Sequence, residues 1–277
     1  MTEPREHWLA AADGTKIFVR DWPLEAARAG VVLMHGLGEH SGRYAHVAHF
    51  FNQQGYAVRG YDHRGHGRSG GARGDVPAID TLIEDAQLAI EHFARDFAAP
   101  PLLLGHSMGG LYAAYYATRG ISPLSGLILS SPALAIRLSG AQQLLVRLLE
   151  AIAPGFGIAN GLDVRYLSHR QDVIDAYTSD PLVHRKISAR LLKSMQAAVA
   201  YSQTRAPDLA TRTLLLVAGE DRLVDASGSA AFHAKLAQGV GTLRTYPDFY
   251  HEIFNETDAD RVFADVRAWL DALRQAR

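Results

Sequence analysis

The stretch that most restricts how this chain can fold runs from Pro101 to Tyr116 and contains the pentapeptide Gly105-His-Ser107-Met-Gly109. An apolar run ends at Gly105, and a run of small, helix-compatible residues follows Gly109 at once. This order predicts a strand, a sharp turn and a helix, the context in which Gly-x-Ser-x-Gly forms a nucleophile elbow. The glycines lack the Cβ atoms that would collide in so tight a turn, so a strained serine can present its hydroxyl. Ser107 is therefore a candidate nucleophile, although the same pentapeptide in an ordinary loop would carry no chemistry.

The composition describes a globular chain with no bulk preference for a charged partner. The 277 residues are 48% hydrophobic and 21% charged, which is enough for one α/β domain that carries an insertion. Lysine and arginine number 28 against 29 aspartates and glutamates, so a net charge of -1 does not favour nucleic acid. The chain contains no cysteine, which excludes disulfides, zinc–thiolate sites and cysteine nucleophiles.

Two stretches bear on the location of the protein. Met1 to Trp8 has no apolar core of signal-peptide length, and no later run approaches the roughly 20 apolar residues of a membrane-spanning helix. We therefore expect a cytoplasmic protein. Asn255-Glu-Thr257 matches a glycosylation acceptor, which we interpret as a chance match because no secretory signal accompanies it.

Strand-like runs alternate with helical runs along most of the chain. Residues 7–22 are typical of a hairpin that turns at Asp13-Gly14. Later strands are predicted at Gly30–His35, Tyr56–Asp62, Gly126–Pro132, Thr211–Asp221 and Leu243–Pro247, and the apolar runs at Gly30–His35 and Gly126–Pro132 predict strands that are buried in the sheet. Between and after them, apolar residues at helical spacing predict helices at Tyr44–Gln54, Ile79–Phe97 and Arg261–Leu273. The alternation predicts an α/β fold with a doubly wound, mainly parallel sheet.

The alternation is interrupted in residues 133–207, which we call the cap segment. Further helices are predicted at Val173–Tyr177 and Ile187–Tyr201, and no strand is predicted there. We interpret the segment as a helical cap inserted into a core formed by residues 1–132 and 208–277. Its most apolar helix carries a leucine stripe, which either belongs to an ordinary core or lines a lipid pocket or an interface. The stripe consists of Leu144, Leu145, Leu148, Leu149 and Ile152.

Partners for the serine occur later in the chain. Ser107, Asp221 and His251 follow one another in the order nucleophile, acid, histidine, and each comes just beyond a predicted strand, at the sheet edge where ligand crevices lie. A serine needs a base to take its proton, and a carboxylate must fix the tautomer of that base. Asp225 and Asp248 are rival acids. Asp221 is preferred because it follows the strand directly.

A second apolar strand, Gly30–His35, ends in the glycine-rich loop Gly36-Leu-Gly38. An oxyanion hole for acyl transfer needs two backbone N–H donors, one from the residue after the nucleophile and one from an early loop of this kind. These positions are Met108 and Leu37. Without the serine, the loop would be an ordinary connection between a strand and a helix.

Three other patterns suggest cofactor or metal sites and fail on their context. Gly65-His-Gly67-Arg-Ser-Gly70 has the spacing of a dinucleotide motif, but loop continues to Pro77 where a helix should begin. His251-Glu-Ile-Phe-Asn255 approaches a zinc motif, yet Asn255 stands in place of the second ligand. The histidines of the N-terminal half fit no zinc spacing. We expect no cofactor and no metal.

Five segments together resemble the monoacylglycerol lipase and lysophospholipase branch of the α/β-hydrolase superfamily. They are His35–Tyr44, Asp62–Ser69, Gly105–Gly109, Ser179–Val183 and Gly219–Asp225. The resemblance covers essentially the whole chain, and the first two segments are its most specific parts. It implies an eight-stranded sheet flanked by helices and a helical cap over an apolar acyl tunnel. It also implies catalytic residues at Ser107, Asp221 and His251, and oxyanion donors at Leu37 and Met108.

The resemblance implies a serine ester hydrolase that cleaves single-chain lipids, above all monoacylglycerol, to free fatty acid and glycerol through an acyl-serine intermediate. Lysophospholipases and short-to-medium-chain carboxylesterases are the alternatives within this class. A non-catalytic ligand-binding protein of the same fold is a more distant one, which the complete set of nucleophile, base and acid disfavours. The expected partner is a small lipid ester, with transient contact of the cap with a membrane or micelle surface left open.

Overall fold

The computed structural model describes residues 3–136 and 138–275 of the chain. Positions 1, 2, 276 and 277, which belong to the predicted core, and position 137, in the cap segment, lie outside the described residues. The strands of the described chain, in order, are β1 (Arg5–Ala10), β2 (Lys16–Trp22), β3 (Ala29–Met34), β4 (Tyr56–Tyr61), β5 (Leu102–His106), β6 (Gly126–Ser130), β7 (Gly157–Ala159), β8 (Lys186–Ser188), β9 (Thr213–Ala218) and β10 (Gly241–Tyr246). The α-helices are α1 (Ala45–Gln53), α2 (Thr81–Ala94), α3 (Met108–Arg119), α4 (Gly140–Ile152), α5 (Gln171–Ser179), α6 (Ala189–Arg205), α7 (Ser227–Lys235) and α8 (Asp260–Gln275).

Eight of these strands form one sheet in the order β1-β2-β4-β3-β5-β6-β9-β10. The β1–β2 hairpin is antiparallel, and β2 pairs antiparallel with β4. All the remaining pairs in this sheet are parallel. The prediction of a mainly parallel, eight-stranded sheet flanked by helices is confirmed. The central parallel strands are buried on both faces, which is why their sequences are largely apolar, whereas the edge strand β10 is partly exposed.

The sheet separates two apolar cores, because successive side chains of a strand point to opposite faces. In β5, Leu103 packs into the core that contains α2, α3 and α6, whereas Leu102 and Leu104 pack into the core that contains α1 and α8. The carboxyl ends of the parallel strands therefore meet along one edge of a layered α/β structure. Side chains that follow those ends are held by two cores at once.

The cap segment contains a short two-stranded sheet that the sequence did not predict. β7 and β8 pair antiparallel, with Ile158 opposite Ile187. The prediction that the segment has no strand is wrong, because strands of three residues are too short to produce a detectable alternation. β8 leads straight into α6, whose first turn is capped by Ser188 at 3.0 Å from the Leu191 amide.

The two longest helices of the cap segment pack very differently. α6 buries Leu191, Met195 and Ala198 in the core beside α3. In contrast, α4 contains no buried residue, and two members of its stripe, Leu144 and Ile152, are 70% and 71% exposed. The stripe is therefore not ordinary core. Within the described part of the chain, no helix has the length and apolar character needed to cross a membrane.

Candidate active site

The turn between β5 and α3 holds Ser107 in a strained conformation. Its φ of 55° and ψ of -118° lie outside the regions that most L-residues adopt. The neighbouring backbone is so close that a Cβ at Gly109 would lie 2.2 Å from the Met34 carbonyl oxygen, and one at Gly105 would lie 2.3 Å from the Gly109 carbonyl oxygen. Ser107 also donates its backbone N–H to the Ser130 carbonyl at 2.9 Å. The predicted elbow is present, and both flanking positions must be glycine because the neighbouring backbone leaves no room for a Cβ atom.

Asp221 and His251 are in direct contact. The Asp221 Oδ2 atom lies 2.7 Å from Nδ1 of His251, and Oδ1 accepts the backbone N–H groups of Leu223 and Val224, each at 2.9 Å. Because the carboxylate accepts from Nδ1, the neutral imidazole keeps its proton there and presents Nε2 as a base. Both side chains are almost fully buried. A carboxylate held in this way fixes both the orientation and the tautomer of the histidine.

Burial and charge act in opposite directions on this pair. Burial alone would raise the pKa of Asp221, but the charge of His251 and three hydrogen bonds bring that pKa below its ordinary value. For His251, burial acts to lower the pKa, but the Asp221 carboxylate together with Glu252 and Glu39 outweighs burial, so the pKa of the imidazole is raised. The carboxylate thus stays ionised, and the imidazole is a stronger base than an isolated one.

His106 lies between His251 and the elbow. The ring of His106 lies 4.7 Å from the ring of His251, between centroids, and His106 is the residue immediately before Ser107. Burial lowers the pKa of His106 to about 4, and the neighbouring His251 adds to this. Its Nδ1 atom lies 3.0 Å from the Ser130 hydroxyl. We therefore assign His106 to the packing around His251 and not to the role of the base.

The rival acids lie elsewhere. Asp225 lines the same cavity as Asp221, but its Oδ1 atom caps the backbone N–H of Ser227 at 3.1 Å. Asp248 is exposed and pairs with Arg261 at 3.1 Å. Of the three acids, Asp221 is the one that contacts His251.

A cavity of about 620 Å³ opens over the elbow. Ser107, Asp221 and both predicted oxyanion residues, Leu37 and Met108, line it. Met108 is the first residue of α3, where a helix does not satisfy its own N–H groups, so this donor is available to a ligand. The rest of the wall is mostly apolar and comes largely from the cap segment, including Ala135, Ile136, Leu138, Leu145, Val146, Ile158, Leu162, Ile187, Leu192 and Met195. The structure therefore places Leu37, Ser107, Met108 and Asp221 around one cavity with an apolar cover, and His251 beside them through its contact with Asp221.

Sequence reasoning missed a buried group of charges beside this site, which we call the ion cluster. It consists of Glu39, Arg43 and Glu252, with the Arg43 guanidinium contacting both carboxylates. All three belong to stretches singled out in the sequence, because Glu39 and Arg43 lie in the loop after β3 and Glu252 follows His251. The available signal was the presence of charges in otherwise buried stretches. Their pairing across more than 200 residues was not visible.

The glycine-rich loop after β4 has a structural use. Asp62 accepts the backbone N–H groups of Ser41 and Arg68, each at 2.8 Å, and so joins this loop to the one after β3. Gly65 has a φ of 72°, and a Cβ there would lie 2.4 Å from the Ala72 carbonyl oxygen. The spacing that suggested a dinucleotide motif thus forms a tight turn that supports the site.

Comparison with known proteins gives matches over nearly the whole chain. The family described as serine aminopeptidase, S33, matches residues 25–258. A monoacylglycerol lipase of Mycolicibacterium smegmatis is 36% identical over 271 residues, which cover 96% of this chain and 96% of that protein. Phospholipase YtpA of Bacillus subtilis is 34% identical over 257 residues, which cover 90% of this chain and 98% of that protein. The crystal structure of a Paleococcus ferrophilus monoacylglycerol lipase matches with a TM-score of 0.85 and 32% identity, covering 93% of this chain and 99% of that one.

Proposed function

The chain belongs to the monoacylglycerol lipase branch of the α/β-hydrolase superfamily, and from this membership we propose that it hydrolyses monoacylglycerol to a fatty acid and glycerol. The observation that carries the proposal is the shared cavity: a strained serine, two oxyanion donors and the acid that holds a histidine all border one apolar space. A polar reaction centre at the end of an apolar cavity suits an ester with one long acyl chain.

In the proposed mechanism, Ser107 Oγ attacks the ester carbonyl while His251 Nε2 takes the hydroxyl proton. The negative charge that develops on the carbonyl oxygen is stabilised by the backbone N–H groups of Leu37 and Met108. The intermediate collapses, the carbon–oxygen bond to the alcohol breaks, and His251 returns the proton to the leaving alkoxide. Water then attacks the acyl-serine in the same manner and releases the fatty acid. Asp221 orients His251 and stays ionised throughout.

Lysophospholipid hydrolysis is the second candidate. It is supported by the 34% identity to a protein named as a phospholipase. The chemistry at Ser107 would be the same, since both substrates carry a single acyl ester on a polar alcohol. Comparing the kcat/KM values for the two substrates, matched in acyl chain and below their micellar concentrations, decides between them.

We further propose that α4 contacts the surface of a membrane or micelle. Leu144, Leu148 and Ile152 expose their side chains, and Leu145 and Val146 of the same helix line the cavity. An exposed apolar row beside the cavity that receives the lipid supports this role, because burying such a row in lipid is favourable. Phe156, just beyond the helix, is also largely exposed.

The proposed chemistry predicts a near-complete loss of turnover in Ser107→Ala. We expect kcat to fall by about 10⁶-fold, because nucleophile, base and acid act as a unit. A fluorophosphonate probe should label the wild-type protein at Ser107 and leave Ser107→Ala unlabelled, while circular dichroism shows an unchanged fold. Labelling of the variant at the wild-type rate, or at another serine, would contradict the assignment.

A further inference from the structure

Glu39 belongs to the loop that carries one proposed oxyanion donor, two residues after Leu37. Its side chain is buried, and its Oε1 atom accepts the backbone N–H of Gly36 at 2.6 Å and the hydroxyl of Tyr44 at 2.5 Å. Gly36 immediately precedes Leu37, and a Cβ at Gly36 would lie 3.3 Å from the Cβ of Ser107. One carboxylate therefore holds the backbone at the point where this loop passes the nucleophile.

Arg43 joins Glu39 to the residue that follows the proposed base. Its guanidinium contacts the second oxygen of Glu39 and donates to both oxygens of Glu252, at 2.7 and 2.8 Å. The ring of Tyr177, on α5 of the cap segment, lies 4.8 Å from the Arg43 guanidinium carbon. All three charged side chains are at most 11% exposed. The ion cluster thus ties the loop after β3 to the loop of His251, under the cover of the cap segment.

Stability alone does not explain such a cluster, because desolvation of buried charges offsets much of their Coulomb attraction. Its location is more informative. One guanidinium faces two carboxylates, so the ion cluster has a surplus of one negative charge close to His251.

We propose that the ion cluster positions the reaction centre: Glu39 sets the backbone of the Leu37 loop, and the surplus negative charge supports the protonated form of His251. This inference rests on the proposed function, since it assigns supporting residues to the same reaction. It makes Glu39, Arg43 and Glu252 positioning residues, because they act through Leu37 and His251 and not on the substrate.

The electrostatic part has a definite sign. The ionisable groups around His251 are Asp221, His106, Glu252 and Glu39, with Arg43 between the two glutamates. Burial acts to lower the pKa of His251, and Asp221, then Glu252 and Glu39, raise it. Because the base acts when neutral, kcat/KM rises with pH through this pKa. Removing one glutamate charge therefore moves the rising limb of the profile to lower pH.

Three variants separate the two parts. Glu39→Ala removes both the acceptor for Gly36 and the charge, so we expect kcat to fall by roughly 10- to 100-fold with KM within about twofold, as for a misplaced catalytic group. Glu39→Gln keeps an acceptor and should recover most of that loss. Both variants, and Glu252→Gln, should move the rising limb downward by about half a pH unit, because each removes one neighbouring negative charge.

Asp85→Asn is the matched control. Asp85 is also a buried carboxylate, held by two hydrogen bonds of 2.9 Å from Arg64, but it is absent from the groups around His251. This variant should lose stability without moving the rising limb. Thermal unfolding measured on each variant separates folding from catalysis, and because Glu39→Gln and Glu252→Gln share one expectation, either suffices if the other fails to fold.

The outcomes are distinguishable from those of the proposed function. If the wild-type protein shows neither ester turnover nor fluorophosphonate labelling at Ser107, the proposed function is wrong. If the wild type is active but the limb stays fixed in the charge-neutral variants, or moves equally in Asp85→Asn, the role of the ion cluster is wrong. Failure of Glu39→Gln to recover kcat relative to Glu39→Ala would remove its backbone-holding part.

Discussion

Asp221 and Asp225 stand four residues apart in one loop and border one cavity, yet their side chains have different neighbours. The first accepts from His251 and from two backbone N–H groups, whereas the second caps the backbone of Ser227. Proximity to a cavity therefore does not decide which acid takes part in the proposed reaction. The direction in which the loop turns after β9 decides it, because it determines which of the two carboxylates faces His251.

Exchanging each acid for its amide tests this assignment. Asp221→Asn should lower kcat by about 10⁴-fold, because an amide in this position favours the wrong tautomer of the histidine. Asp225→Asn leaves the contact between Asp221 and His251 in place, and we expect at most about a tenfold loss. The check is kcat on a p-nitrophenyl ester across a range of pH. A larger loss at Asp225 would transfer the orienting role to that residue.

At the residue scale, the sequence predicts the catalytic residues that local patterns mark. It misses the charged residues whose partners lie far away in the chain. Ser107, Asp221 and His251 could be proposed because each follows a predicted strand that ends at the same edge of a parallel sheet. Glu39 and Glu252 could not, because a glutamate in a loop is usually solvated and only the folded chain places Arg43 between them. Local patterns identify a nucleophile, but not the charges that surround its base.

The helices and strands of the cap segment also divide into those that local sequence patterns predict and those that they miss. Apolar residues at helical spacing predicted α4, and that helix is present. The same spacing could not reveal whether the apolar face is buried, since amphipathicity does not name the partner. β7 and β8 were missed because each pairs over only three residues. In contrast, α6 is fixed to α3 through the Tyr112 and Ser194 hydroxyls, 2.6 Å apart, so the inner part of the segment is held by the core.

The exposed row of α4 leads to a prediction about surface binding. Replacing Leu144, Leu148 and Ile152 together with serine should lower partitioning onto phospholipid vesicles by at least about tenfold, because burying one such side chain fully is worth about 1.5–3 kcal/mol. Vesicle co-sedimentation measures the effect. Hydrolysis of a water-soluble ester checks that the cavity is intact, since none of the three residues lines it.

Ile79→Ser is the matched control for this experiment. Ile79 is also a partly exposed aliphatic residue, at 42%, but it precedes α2 and lies outside the cavity wall. Its replacement should leave partitioning unchanged. Equal loss in the control and in the α4 variant would mean that the protein binds vesicles through general surface hydrophobicity and not through α4.

For the whole molecule, the sheet and the cap segment have separate tasks. Two apolar cores hold the carboxyl ends of β3, β5 and β9 in register. The loops that follow these ends carry, in the same order, the proposed oxyanion donor, nucleophile and acid. We propose that residues 133–207 form an insertion that encloses the substrate, while 1–132 and 208–277 form the catalytic core. Substrate selection should then follow the dimensions of the cavity between them.

The cavity therefore predicts how activity depends on the acyl chain. Each methylene that enters the apolar wall contributes up to about 0.8 kcal/mol, so kcat/KM for monoacylglycerols should climb by as much as about fourfold per carbon until the space of about 620 Å³ is filled. Beyond that length it should level or fall, because an apolar space that is already filled accepts no further atoms. Diacylglycerols and triacylglycerols should be poor substrates, since the cavity is proposed to hold a single acyl chain. Rates measured below micellar concentrations test this, and a flat length profile, or equal turnover of triacylglycerol, would instead indicate an open esterase site.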